Sequence, residues 1–311
     1  MKFHWTSVAW SVVYFLLLLS LITPLTVITA LFLLVPGVVL YSTLSKTSFI
    51  VHIVPVLVLL FLVFNSVLSN SLFILIPLYF LVPSVVMGHL YKKRASALRT
   101  VLFGAGTILL EFILLLLIST LFFDFNLVQT IEDVINSTAS PFRDMAGSGL
   151  APGLAWTEEM TRQLSSLTVR MIPFTMTVTS LAIAIVTHAV TRPTLSSMGQ
   201  ITPKMKPLRD WRLPRSLVWY YIIGLIVQMF AGEAARQGFL GTVLLNLMPL
   251  LQFGFIIQTA GFFFFLAYQR KWNLAIPILL TIAIVFVRPL WLIGVFDIAF
   301  PLRDMITRSR R

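Results

Sequence analysis

The sequence predicts an all-α, polytopic transmembrane helix bundle, and three observations predict it. Its 311 residues are 58% hydrophobic and only 11% charged, whereas a soluble domain carries about 25% charged residues. Mean hydropathy is +0.95. The apolar residues also run in stretches long enough to cross a membrane, and the first, 8–39, contains no charged side chain. Most of the surface is therefore expected to face hydrocarbon, which excludes a soluble globular enzyme. The whole chain, 1–311, reads as a single integral membrane domain.

A helix needs about 20 mainly apolar residues to cross the hydrocarbon layer. Stretches of this kind lie at 5–22, 25–44, 49–68, 71–90, 100–123, 171–191, 217–231, 239–268 and 274–296. Short links at Thr23-Pro24, 45–48 and Ser69-Asn70 join the first four, as suits antiparallel neighbours, and Pro24 cannot continue a helix. The first stretch lacks a small-x-small cleavage site and a polar sequel, so it reads as a retained span rather than a signal peptide. The stretch at 239–268 is longer than needed and is expected to tilt, to kink at Gly254 or to begin at the interface. Arg288-Pro289 interrupts the last stretch. A proline there frees backbone groups, and an arginine at that depth is expensive. The expectation is eight spans with a broken last segment, or nine if that segment crosses.

Basic residues collect on the cytoplasmic side of membrane proteins. With the N-terminus in the cytoplasm of a bacterial cell, fourteen Lys and Arg before the last segment fall inside and four outside. The segment 192–215 then becomes a basic cytoplasmic loop, carrying Lys204, Lys206, Arg209, Arg212 and Arg215, with Trp211 as an interfacial anchor. The segment 124–170 becomes an extracytoplasmic loop. Within it, Leu127, Ile131, Val134 and Ile135 fall at helical spacing and predict an amphipathic helix. Residues 141–153 read as a flexible connector. Thr157 then caps a helix whose first turn carries Glu158 and Glu159.

A net charge of +12 in a soluble protein would suggest nucleic acid. Here it places cations beside anionic lipid headgroups, and no nucleic-acid partner is expected. The chain has no cysteine and four scattered histidines, so no metal, cofactor or thiol chemistry is expected. No catalytic residue stands out either, and the chain does not read as an enzyme. Glu111 is the one acid deep within a span. An ionised carboxylate is costly in hydrocarbon, so it should face the bundle interior, either neutral or paired. Arg288 is its natural counter-charge, or else a snorkelling arginine at a broken helix. Gln228 and Gln252 read as interhelical hydrogen-bond partners, or as lining of a polar cavity. His52 and His188 read as interfacial. A short string recurs as Pro141-Phe-Arg-Asp-Met145, Pro207-Leu-Arg-Asp-Trp211 and Pro301-Leu-Arg-Asp-Met305, and reads as headgroup-level chemistry without a shared role.

The stretch Arg209-Asp-Trp-Arg-Leu-Pro-Arg-Ser-Leu-Val-Trp-Tyr-Tyr221 resembles the YybS family of multi-pass proteins from Bacillus-like bacteria. So does Arg288-Pro-Leu-Trp-Leu-Ile-Gly-Val-Phe-Asp-Ile-Ala-Phe-Pro-Leu-Arg303. The resemblance implies a distant similarity to the substrate-capture (S) components of energy-coupling factor transporters and to the cell-shape protein MreD. S components typically dock their coupling subunit through Ala-x-x-x-Ala on an early helix, where this chain offers Ser7 and Ser11. Two readings follow. In one, the chain is a solute-binding transport subunit without its own energy source, and Glu111, Arg288, Gln228 and Gln252 contact a small solute. In the other, it is a non-transporting scaffold or regulator that docks a membrane or cytoplasmic protein partner through the basic loop.

Overall fold

A computed structural model describes residues 5–68, 75–147, 156–232, 235, 238–300 and 302–308. Those residues are almost entirely helical, and seven helical segments are long and apolar enough to cross a membrane. Three further apolar helices are shorter, at Ser216–Phe230, Ala275–Phe286 and Pro289–Ala299. The helices cluster into two compact units. One holds residues 1–125 and 176–205, the other 126–175 and 206–311.

The first unit contains α1 (Trp5–Leu19), α2 (Thr26–Thr29), α3 (Leu34–Thr43), α4 (Lys46–Leu68), α5 (Leu75–Lys92), α6 (Ala97–Phe122) and most of α9 (Ile172–Ser197). Helix α3 is its core, buried along nearly its whole length. It packs against α1 and α5, and α5 in turn against α6. The second span is broken where the sequence predicts a continuous helix. Pro36 cannot donate to the carbonyl four residues back, and its ring crowds that carbonyl. A 3₁₀ turn at Ala30–Phe32 therefore precedes α3, which restarts with the proline in its first turn, where no backbone donor is required. The corner at Pro24 is closed by hydroxyls. The Ser20 carbonyl accepts from Thr23 Oγ1 at 2.8 Å and Thr26 Oγ1 at 2.7 Å, so a carbonyl just past the end of α1 finds its donors within the corner itself. On α6, Gly104 faces Met87 of α5, whereas a Cβ at Gly106 would meet nothing within 4 Å.

The second unit contains α7 (Leu127–Gly147), α8 (Glu158–Arg170), α10 (Ser216–Phe230), α11 (Phe239–Arg270), α12 (Ala275–Phe286), α13 (Leu292–Ala299) and α14 (Leu302–Arg308). Helix α7 begins at Leu127, where the amphipathic spacing starts, but runs on through Pro141. The start of the expected connector, 141–147, is thus helical, and 148–153 lie outside the described residues. The reason is local: Ser140 Oγ donates to the Ser137 carbonyl at 2.9 Å, supplying the donor that Pro141 lacks. Thr157 caps α8, its hydroxyl accepting from the Met160 amide at 3.2 Å. At the break between α8 and α9, Asn246 of α11 mends the ladder. Its amide donates to the Arg170 carbonyl at 2.7 Å and accepts from the Phe174 amide at 2.8 Å.

The last apolar stretch is broken at Arg288-Pro289, as the sequence predicts. Helix α12 ends at Phe286, a 3₁₀ turn spans Arg288–Trp291, and α13 follows. Thr259 of α11 serves the interrupted backbone, its hydroxyl accepting from the Gly294 amide at 2.8 Å and lying 3.2 Å from the Trp291 carbonyl. This approach requires a glycine. A Cβ at position 294 would sit 2.2 Å from the Phe255 carbonyl oxygen and 3.0 Å from the Thr259 amide, and neither backbone atom can swing aside. Replacing Gly294 with Ala is therefore expected to cost about 1–3 kcal/mol and to lower the unfolding temperature in detergent, followed by tryptophan fluorescence. Gly106→Ala, which enters open space, serves as the neutral comparison. Equal melting of the two variants would contradict this packing.

Candidate functional site

The strongest polar arrangement in the second unit grows from residues on α11, α13 and α14. Gln258 lies one turn beyond Phe255 on α11, and Asp297 occupies the last turn of α13. The chain extends at Phe300 and re-enters a helix at Leu302, which returns Arg303 to Asp297. The two side chains are 4% and 1% exposed. Arg303 Nε lies 3.1 Å and 3.0 Å from the two carboxylate oxygens, and Nη2 donates to Oδ2 at 2.7 Å. This two-pronged geometry is the strong form of the arginine–carboxylate pair.

The pair holds more than itself. Arg303 Nη1 donates to the Arg209 carbonyl at 2.5 Å. Gln258 donates to Asp297 Oδ2 at 2.6 Å and accepts from the Leu213 amide at 3.0 Å. Two backbone groups of the basic loop, at residues 209 and 213, are thereby tied to buried side chains. Trp211 closes the loop on itself, its indole N–H donating to the Lys206 carbonyl at 2.8 Å. Gly261 permits the approach, because a Cβ there would meet the Leu208 carbonyl oxygen at 2.8 Å. Outside the buried core, Arg212 meets Asp304 at 3.3 Å with both side chains more than half exposed, a contact that contributes under about 1 kcal/mol.

The recurring string takes on a structural role here. The Pro207-Leu-Arg-Asp and Pro301-Leu-Arg-Asp copies lie together: Leu208 and Leu302 join one apolar cluster, Arg303 reaches the Arg209 carbonyl, and Asp304 reaches Arg212. The sequence alone does not show this, because contact between segments more than 90 residues apart leaves no local signature. Side chains 143–145 of the first copy lie outside the described residues.

The other sequence-predicted residues have separate surroundings. Lys204 belongs to the first unit and is exposed, as are Lys206, Arg212 and Arg215 of the second, while Arg209 is half-buried. Glu111 belongs to the first unit, half-buried on α6, and its Oε2 has no hydrogen-bond partner among the described residues. Tyr79 lies beside that turn, its hydroxyl donating to the Ile108 carbonyl at 3.2 Å. Gln228 and Gln252 belong to the second unit. Gln252 joins α11 to α10 through the Tyr221 hydroxyl at 3.1 Å. Gln228 lines a recess of about 430 Å³ with Arg170. The Arg288 side chain lies outside the described residues, so its pairing with Glu111 is not described. His188, read as interfacial, is buried against Tyr91, with its Nδ1 2.6 Å from the phenolic oxygen. Among the described residues no three His, Asp or Glu side chains are placed to hold a metal ion.

Long apolar helices, hydroxyls and amides spent on broken backbone, and a buried ion pair beneath a basic loop define a polytopic helical membrane protein. The chain belongs to the family described as "Predicted membrane protein (DUF2232)", whose model matches residues 10–298. It is similar to "Uncharacterized protein YybS" of Bacillus subtilis (strain 168), being 21% identical over 228 residues that cover 71% of this chain and 72% of that protein. This similarity supports the resemblance carried by 209–221 and 288–303. No solved structure matches the chain.

Removing one partner of a buried pair leaves an uncompensated charge and costs about 3–5 kcal/mol. Arg303→Gln and Asp297→Asn are each expected to destabilise the protein by that amount in denaturant unfolding. The double variant should fall within about 1 kcal/mol of either single variant, since the two groups act as one unit. Additive losses would show that the pair does not hold this region.

Proposed function

We propose that this chain is a docking protein of the bacterial cell membrane, with its N-terminus in the cytoplasm. Its basic loop presents a fixed array of cations to an acidic face of a membrane or cytoplasmic protein partner. The observation that carries this reading is the anchoring of the loop at Arg209 and Leu213 by Arg303 and Gln258, while Lys206, Arg212 and Arg215 stay exposed. A segment of like charges repels itself and tends to disorder. Ordering a backbone costs about 1–2 kcal/mol per residue, so a loop ordered beforehand spares its partner that cost. Loose attraction to headgroups requires no such order. The positive-inside distribution of Lys and Arg supports the orientation.

The solute-binding reading keeps one observation in its favour, the buried Oε2 of Glu111, which has no hydrogen-bond partner among the described residues. It expects a co-purifying small molecule in native mass spectrometry whose retention weakens in Glu111→Gln.

For docking, Lys206→Gln/Arg212→Gln/Arg215→Gln is expected to lower recovery of a co-purifying protein at least tenfold from mild detergent. Lys93→Gln/Arg94→Gln/Arg99→Gln, which removes equal charge from another segment, should leave recovery unchanged. Recovery should also fall as salt rises from about 0.1 M to about 1 M, where the screening length shortens from about 10 Å to about 3 Å. Equal recovery from both triple variants, or indifference to salt, would contradict docking through this loop.

A further inference from the structure

Helix α11 ends where Lys271 adopts a left-handed conformation, with φ of 55°. The chain reverses there into α12, and the turn, the last residues of α11, the start of α12 and the 207–209 segment enclose a recess of about 700 Å³. Its walls include the apolar side chains of Leu208, Phe264 and Pro277, while Arg209 and Lys271 bring two cations to it. Among the described residues no acid lines it.

The Arg209 guanidinium is held 3.8 Å from the centre of the Tyr268 ring, a cation–π contact that fixes its position. Its nearest carboxylate is Asp210 at 3.9 Å, a side chain 54% exposed to solvent, so little of its charge is neutralised. Among the described residues Lys271 is in no salt bridge. Two cations therefore converge on a recess with apolar walls, directly after a 32-residue apolar helix. The end of a membrane-crossing helix is where phosphate headgroups meet acyl chains.

We infer that this recess binds an anionic phospholipid, its phosphate held by Arg209 and Lys271 and its glycerol and upper acyl carbons laid against Leu208, Phe264 and Pro277. The phosphate accounts for the cations. The amphiphile accounts for the apolar walls, against which a free phosphate ion would gain nothing. The site does not depend on the docking reading, because Arg209 is turned to the recess while the docking cations are exposed.

The test is native mass spectrometry of the full chain in mild detergent, titrated separately with phosphatidylglycerol, phosphatidylcholine and inorganic phosphate. The unmodified protein should retain one phosphatidylglycerol above the background of phosphatidylcholine, and inorganic phosphate at matched concentration should not displace it. Each cation removed should weaken retention about fivefold, and both together about twenty-five-fold, in Lys271→Gln, Arg209→Gln and the double variant. Lys271 is exposed at a helix end, so its single variant reads out binding without a folding defect. Lys93→Gln/Arg162→Gln, which removes the same charge elsewhere, should retain the lipid. Undiminished retention by Lys271→Gln and the double variant, equal retention of phosphatidylcholine, or displacement by inorganic phosphate would each overturn the assignment.

Discussion

Asp297 and Arg303 can leave water only together. Desolvating either charge alone costs several kcal/mol, and their attraction offsets this only with good geometry and with the remaining donors and acceptors satisfied. Both conditions hold. The guanidinium meets the carboxylate along one edge through Nε and Nη2, Gln258 supplies a further donor to the carboxylate, and the Arg209 carbonyl takes an N–H of Nη1. The turn between α13 and α14, the path of 206–215 and the glycine at 261 all serve this arrangement.

A second constraint runs through the whole chain. In hydrocarbon, a backbone group freed by a proline or a helix break must find a partner within the protein. The chain meets this at several breaks with polar side chains. Ser20, Thr23 and Thr26 serve the Pro24 corner, Asn246 bridges α8 and α9, and Thr259 serves the Arg288-Pro289 break. Many of the hydroxyls and amides in this apolar sequence thus serve the backbone.

The fold class was legible in the sequence because lipid solvation imposes long apolar runs, and those are a local signal. The break at Arg288-Pro289 and the Thr157 cap were legible for the same reason, since each depends on adjacent residues. The interruption before α3 was not foreseen, because Pro36 inside an apolar run resembles the prolines that α4 and α5 accommodate. The buried pair is illegible in the sequence for a different reason. Asp297 and Arg303 each sit among apolar residues near a span end, where charged residues are ordinary, and only the fold brings α11 and the basic loop to them. The repeated Pro-Leu-Arg-Asp string was the one available hint, and a string alone does not say that its copies touch.

The central claim is that a buried pair, and not the loop's own sequence, holds the basic segment in place. Hydrogen–deuterium exchange of 206–215 in the Arg303→Gln protein tests this most directly, with α4 and α6 as internal references. The account predicts that exchange across 206–215, the Leu213 amide included, rises sharply while the reference helices keep their protection. Unchanged protection of that segment would contradict it.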